Sequence, residues 1–176
     1  MQYSILGRTG LNVSVMGLGG GGRSRLGTRT GNSRRESIEI VRRALGLGVN
    51  LIDTAQAYGT EKLIGNAIKS VKREDVILST KKTISYRSRL ISPKQLIQGL
   101  DKSLRRLDTS YVDIYHLHGV KTHDYDYVFN ELVPTLFKLR DAGKIRFLGI
   151  TEPFGSDTTH QMLGRALEDD CWDVVM

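Results

Sequence analysis

Two hydrophobic periods alternate strictly along this chain, and that alternation limits its fold more than any other feature. Runs of β-branched and aliphatic residues fall at 49–52, 76–78, 111–117 and 145–150, and another begins at 173–176. Between them apolar residues recur every three to four positions, as on the buried face of a helix. These stripes are Ile38, Val41, Leu45 and Leu47; Leu63, Ile64, Ala67, Ile68 and Val71; Leu96, Ile97, Leu100, Leu104 and Leu107; Val128, Leu132, Leu136 and Leu139; and Met162, Leu163, Ala166 and Leu167. A strand that returns only after a helix pairs in parallel with its predecessor, so the pattern predicts parallel α/β architecture.

Boundary signals agree. Ser33 with Glu36, and Ser92-Pro93-Lys94-Gln95, are capping boxes that start the first and third helices, and Gly48 is a stop. Pro134 interrupts the fourth stripe, so that helix either starts near Asn130 or kinks. Ahead of the alternation, runs at 3–6 and 13–15 flank the turn Gly7-Arg8-Thr9-Gly10. They predict a hairpin whose second run leads into a first sheet strand ending at Gly17. No linker divides the chain, so residues 1–176 read as a single domain.

Composition excludes several classes. Hydrophobic residues make up 39% and charged residues 26%, enough of each for a soluble domain with a core. The single cysteine, Cys171, rules out an intramolecular disulfide framework. The opening MQYSILGRTG lacks the apolar stretch of a secretory signal, and no run approaches the ~20 residues that span a bilayer. The expectation is a cytoplasmic protein without membrane contact. Net charge is +7, with Arg23, Arg25, Arg29, Arg34 and Arg35 crowding one Gly-rich stretch. Without interleaved aromatics this stretch predicts a solvated face or a contact to cofactor phosphate, not nucleic acid.

Parallel sheets and barrels carry their chemistry at the C-terminal ends of the strands. Asp53 and Tyr58, Lys81, and His118 fall at or just beyond three successive strand ends. Singly, each has an ordinary explanation: a loop-capping acid, a ring over the mouth of a barrel, a solvated lysine, a packed histidine. Together they occupy the same point of different βα units, where a core tolerates Asp and Lys only as a pair. His116, two residues deeper on the same strand face, reads as a packed histidine. A phenol titrates near ~10. A neighbouring ammonium would lower that value, a carboxylate would hold the ammonium, and a neutral imidazole would orient a carbonyl oxygen. Such a set donates a proton to a carbonyl but has no electrons to give, so a cofactor must supply hydride. No metal ligand set is visible.

The glycines allow two readings. Gly17 to Gly22 fits G-x-G-x-x-G after a strand, with Asp53 ending the next. A dinucleotide-binding fold would start a helix there and place its acid ~20 residues on. Here a Gly/Arg stretch intervenes before Ser33, and Asp53 lies 31 residues beyond Gly22. The other reading is a loop at a barrel mouth, with Gly19 and Gly20 permitting close backbone approach to a cofactor or substrate.

The segments LGRTGLNVSVMGLG, GVNLIDTAQAYG, LSTKK, DIYHLHG and LRDAGKIRFLGIT resemble the signatures of the aldo-keto reductase family over essentially the whole chain. The resemblance implies a (β/α)8 TIM-type barrel and a nicotinamide cofactor, usually NADPH, with NADH possible. It implies transfer of hydride between that cofactor and a small carbonyl or alcohol: an aldehyde, a ketone or a sugar. By resemblance Tyr58 is the proton donor, Lys81 lowers its pKa, Asp53 pairs with Lys81 and His118 orients the carbonyl. Gly19, Gly20, Asp53, Thr151 and Glu152 become cofactor-facing positions. The family commonly has Ser-Asn where Thr151-Glu152 stands, so an acid replaces an amide. A barrel of this kind needs ~250 residues, so the expectation is a barrel truncated after about five and a half βα units, unstable and inactive alone. The alternative function on the same barrel is a non-catalytic regulatory or binding protein, as in potassium-channel β subunits, or an inactive truncated product. Neither substrate nor oligomeric state is legible.

Overall fold

A computed structural model describes every residue of the chain except Ser88 and Phe154. The N-terminal hairpin pairs β1 (Tyr3–Ile5) antiparallel with β2 (Asn12–Ser14). It does not run on into the main sheet, as the sequence had suggested. The Ser14 amide donates to Asn50 Oδ1 at 2.7 Å, and its hydroxyl donates to the Met16 carbonyl at 2.8 Å. These bonds turn the chain before the first sheet strand, the two-residue β3 (Leu18–Gly19), can form.

From there the alternation holds. α1 (Arg34–Gly46) leads to β4 (Leu51–Asp53), α2 (Glu61–Ile68) to β5 (Ile77–Thr83), and α3 (Pro93–Leu107) to β8 (Val112–His118). A small hairpin of β6 (Ser85–Tyr86) and β7 (Arg89–Leu90) lies between β5 and α3. After β8 come α4 (Tyr125–Tyr127), a π turn (Val128–Leu132) and α5 (Val133–Asp141), then β9 (Ile145–Ile150), α6 (Gln161–Ala166) and β10 (Val174–Val175).

The sheet order β3-β4-β5-β8-β9-β10 is parallel throughout and follows the chain. A dinucleotide-binding fold reverses its strand order at a switch point, so this sequential order excludes that reading. Six parallel strands laid down in sequence, with helices covering one face, form an arc of barrel-type sheet.

Both capping boxes form. Ser33 and Glu36 exchange bonds at the start of α1, as do Ser92 and Gln95 at the start of α3. Pro134 falls in the first turn of α5, one of the two arrangements expected, although α5 begins at Val133 rather than near Asn130. The backbone widens into the π turn just before it, which accommodates a residue without an N–H. Some stripe residues predicted as buried are outside: Leu47 and Leu167 are 56% and 68% exposed.

The two sheet faces differ. Ile52, Leu78, Tyr115, Leu117, Leu148 and Ile150 pack beneath the helices in the main core. On the opposite face the side chains form tiers. At the N-terminal end, Ile77 and Ile114 join Leu11 and Val13 of the hairpin in a second apolar cluster, with Leu51, Phe147 and Val174 against it. Each strand alternates faces, so the next inward positions along β4, β5, β8 and β9 are Asp53, Ser79, His116 and Gly149. Above them stand Lys81 and His118, with Thr151 just past the end of β9.

Candidate active site

The middle tier is fixed by bonds between neighbouring strands. Ser79 donates its hydroxyl to Asp53 Oδ1 at 2.7 Å, and its oxygen lies 3.1 Å from His116 Nε2. His116 is fully buried. A Cβ on Gly149 would come within 2.6 Å of the His116 Cγ, so only glycine leaves room for that ring. Burial, with the Lys81 charge second, pushes the His116 pKa down to about 3. It is a neutral packed imidazole, as the sequence suggested.

Lys81 of the upper tier pairs with Asp53 of the middle one. Lys81 is 1% exposed and hydrogen-bonds both carboxylate oxygens of Asp53, and its amine also donates to the Thr54 carbonyl at 3.1 Å. Burial pulls the Lys81 pKa down, and the Asp53 carboxylate opposes that shift. Tyr58 ends a single 3-10 turn (Gln56–Tyr58), closed by Gly59 with a left-handed φ of 75°. Its ring centroid lies 5.6 Å from the Lys81 amine and 5.7 Å from the His118 ring, which it meets edge-on at 90°. The structure therefore brings Asp53, Tyr58, Lys81 and His118 together on one rim.

The direction of the Tyr58 shift differs from the sequence argument. Burial raises the phenol pKa, the Asp53 charge raises it further, and the cation that opposes them is Arg25 of the Gly/Arg stretch. Burial and the Asp53 carboxylate set the net direction of the shift, and it is upward. Tyr58 therefore holds its proton firmly at neutral pH. The His118 imidazole is shifted down by burial and then by Lys81, so it is neutral there too, and its Nδ1 is buried without a partner.

The glycine loop supports this rim from behind. Gly20 donates its amide to the Asp53 carbonyl at 2.7 Å, and its carbonyl accepts from Thr60 Oγ1 at 3.0 Å. Its backbone is thus committed within the chain. A Cβ on Gly21 would press into the Tyr58 ring, 2.7 Å from Cε2, so Gly21 is the residue that seats the phenol. Gly19 is exposed, with open space where a side chain would be.

Tyr58, Lys81 and His118 open into a cleft of about 610 Å³, whose far wall is Thr151, Glu152 and the loop reaching His160. The Gly119 amide donates to Thr151 Oγ1 at 3.0 Å, which leaves the Thr151 O–H free to donate. Glu152 Oε1 pairs with His160 Nδ1 at 2.6 Å, while Oε2 is buried with no partner. Ser79, Gly21 and His160 escaped the sequence reading. Ser79 had a usable signal, since it sits two residues before Lys81 on the same strand face; Gly21 and His160 had none. Among the described residues, no group of His, Cys, Asp and Glu could hold a metal ion, and no helix is long and apolar enough to cross a membrane.

A parallel barrel-type sheet with Asp53, Tyr58, Lys81 and His118 gathered on its C-terminal rim defines the class of this protein. The chain belongs to the aldo/keto reductase family, whose pattern it matches over residues 15–172. It is 38% identical over 157 residues to L-galactose dehydrogenase of Arabidopsis thaliana, covering 86% of this chain and 48% of that protein. It is 36% identical over 160 residues to aldo-keto reductase YhdN of Bacillus subtilis, covering 86% and 47%. Among solved structures, the thermostable aldo-keto reductase Tm1743 superposes with a TM-score of 0.74 at 30% identity, over 94% of this chain and 58% of that one. The chain spans about half the length of the curated relatives it matches.

Proposed function

We propose that this chain carries the proton-donor half of an oxidoreductase that moves hydride between a nicotinamide cofactor and a small carbonyl or alcohol. The observation that carries this reading is the meeting of a protonated phenol, a buried lysine–aspartate pair and a neutral imidazole at one cleft. Reducing a carbonyl puts a hydride on carbon and a proton on oxygen. Tyr58 is the group that gives the proton, from a phenol that burial keeps loaded. The phenolate left behind is met by the Lys81 ammonium, which Asp53 holds in place. His118, neutral, hydrogen-bonds the substrate oxygen and aims it at Tyr58.

The residues present fit a nicotinamide cofactor. The unpartnered Glu152 Oε2 is a buried acceptor on the cleft wall, suited to the N–H of a carboxamide, and the Thr151 O–H can donate to its carbonyl. When bound, the cofactor supplies the hydride that no side chain here can. NADP(H) is the form we favour from the family's usual preference. A relative from Escherichia coli, 32% identical, is called an NADH-specific methylglyoxal reductase, so NAD(H) belongs in the same assay. Both reductase and dehydrogenase names occur among the relatives, and the substrate class is an aldehyde, ketone or sugar.

The test is Tyr58→Phe in a complete barrel enzyme that contains this segment. Carbonyl reduction should fall by at least about a hundredfold, while cofactor affinity changes little. Undiminished turnover would show that another group donates the proton.

A further inference from the structure

We propose that Glu152 makes the cleft select the oxidised, cationic nicotinamide ring over the reduced, neutral one. This rests on reading the cleft as a nicotinamide site. Three observations carry it. First, the Glu152 side chain is only 15% exposed, and one oxygen is anchored by His160 at 2.6 Å. His160 is itself fixed at the start of α6 in a left-handed conformation, φ 56°. The other oxygen, Oε2, is buried and has no partner. A desolvated carboxylate oxygen without a donor is costly unless a donor or a cation meets it.

Second, the charges that line the cleft leave Glu152 unmatched. The Lys81 ammonium is committed to Asp53, and His118 is held neutral by burial. Asp157, the other lining acid, accepts from the Met162 amide at 2.9 Å and from the hydroxyls of Thr122 and Thr159. Among the described lining residues, only the His160 ring could offset Glu152, and it is 67% exposed to water. A chain with net charge +7 thus gives this cleft an acidic wall.

Third, Glu152 shares the cleft with Tyr58 and His118, where the reacting carbonyl must sit. A ring that hands hydride to that carbonyl would occupy this cleft, with Glu152 on its wall. A carboxylate facing it in a partly dry cleft favours the form carrying a positive charge, by at least about tenfold in affinity. Neutral Asn or Gln would contribute a hydrogen bond without this preference. The consequence for the reaction is a bias toward alcohol oxidation in the bound state.

The experiment separates ring charge from everything else. Binding of 1-methylnicotinamide, a cation, and of nicotinamide, its neutral counterpart with the same carboxamide, is measured by calorimetry on wild type and Glu152→Gln. NADP+ against NADPH, and NAD+ against NADH, are measured in parallel. Wild type should prefer the cationic ring by at least about tenfold more than Glu152→Gln does. A preference that is the same in both proteins overturns the proposal while leaving the cofactor reading intact. If neither the ring probes nor any dinucleotide binds folded wild type, the cofactor reading fails and this inference with it. Should Glu152→Gln lose its cooperative melt, Glu152→Asn takes its place with the same two outcomes.

Discussion

Mild acid should weaken this fold through His116, in a window where carboxylates contribute little. In the unfolded chain a histidine titrates near 6.5, whereas the native ring takes a proton only at about 3. Between those values the unfolded state binds more protons, so stability falls as pH falls through the window. Each pH unit inside that window is worth about 1.4 kcal/mol, so from pH 7 to pH 5 this one group costs about 2 kcal/mol. His118 is shifted in the same direction and adds to the loss. The carboxyls held below their usual range, among them Glu36, Asp108 and Asp157, lose their contribution only at lower pH. Urea unfolding at pH 7, 6 and 5, followed by fluorescence of the buried Trp172, measures the slope. His116→Gln can keep the contact to Ser79 but does not titrate, so its slope should be shallower than wild type by about 1 kcal/mol per pH unit. Equal slopes in the two proteins would refute the assignment of His116 as a buried neutral base.

Gly149→Ala should cost about 1–3 kcal/mol, because its Cβ meets the fixed His116 ring; a thermal melt reads this as a drop of several degrees. Asp53→Asn should destabilise by about 2–3 kcal/mol in urea unfolding, since it leaves the Lys81 ammonium buried without its partner. Ser92→Ala removes the N-cap of α3 and should cost about 1 kcal/mol by the same measurement, with no effect on the cleft.

Much of this architecture could be read from periodicity. The switching between helical and strand patterns was enough to predict the parallel sheet, and Ser33/Glu36 and Ser92/Gln95 marked two helix starts correctly. The four rim residues stood out because they fell at or just beyond the ends of three successive strands. What escaped depended on contacts distant in sequence. Val13 looks like a sheet strand, and only the bonds from Ser14 to Asn50 and Met16 show that the chain turns there. Pro134 announced a disturbance, but not that a π turn would absorb it. The Tyr58 shift follows from burial and from the Asp53 charge, and its direction is not written in the spacing. The Glu152–His160 contact joins a strand end to a helix start across a loop with no motif.

The tiers of the inner face have an electrical consequence. Beneath Lys81, in the tier of Asp53, lies a buried imidazole that stays uncharged across the physiological range, and beneath that lies hydrocarbon closed off by the hairpin. Such a floor polarises poorly and screens weakly. Under the proposed function, the field of a charge formed near Tyr58 would therefore be met mainly on the cleft side, by the Lys81–Asp53 pair, His118 and Arg25. The hairpin and the Gly149–His116 contact, far from any reacting atom, act as insulation. A mutation that let water into that floor would dull the electrostatics of the rim without moving one of its side chains.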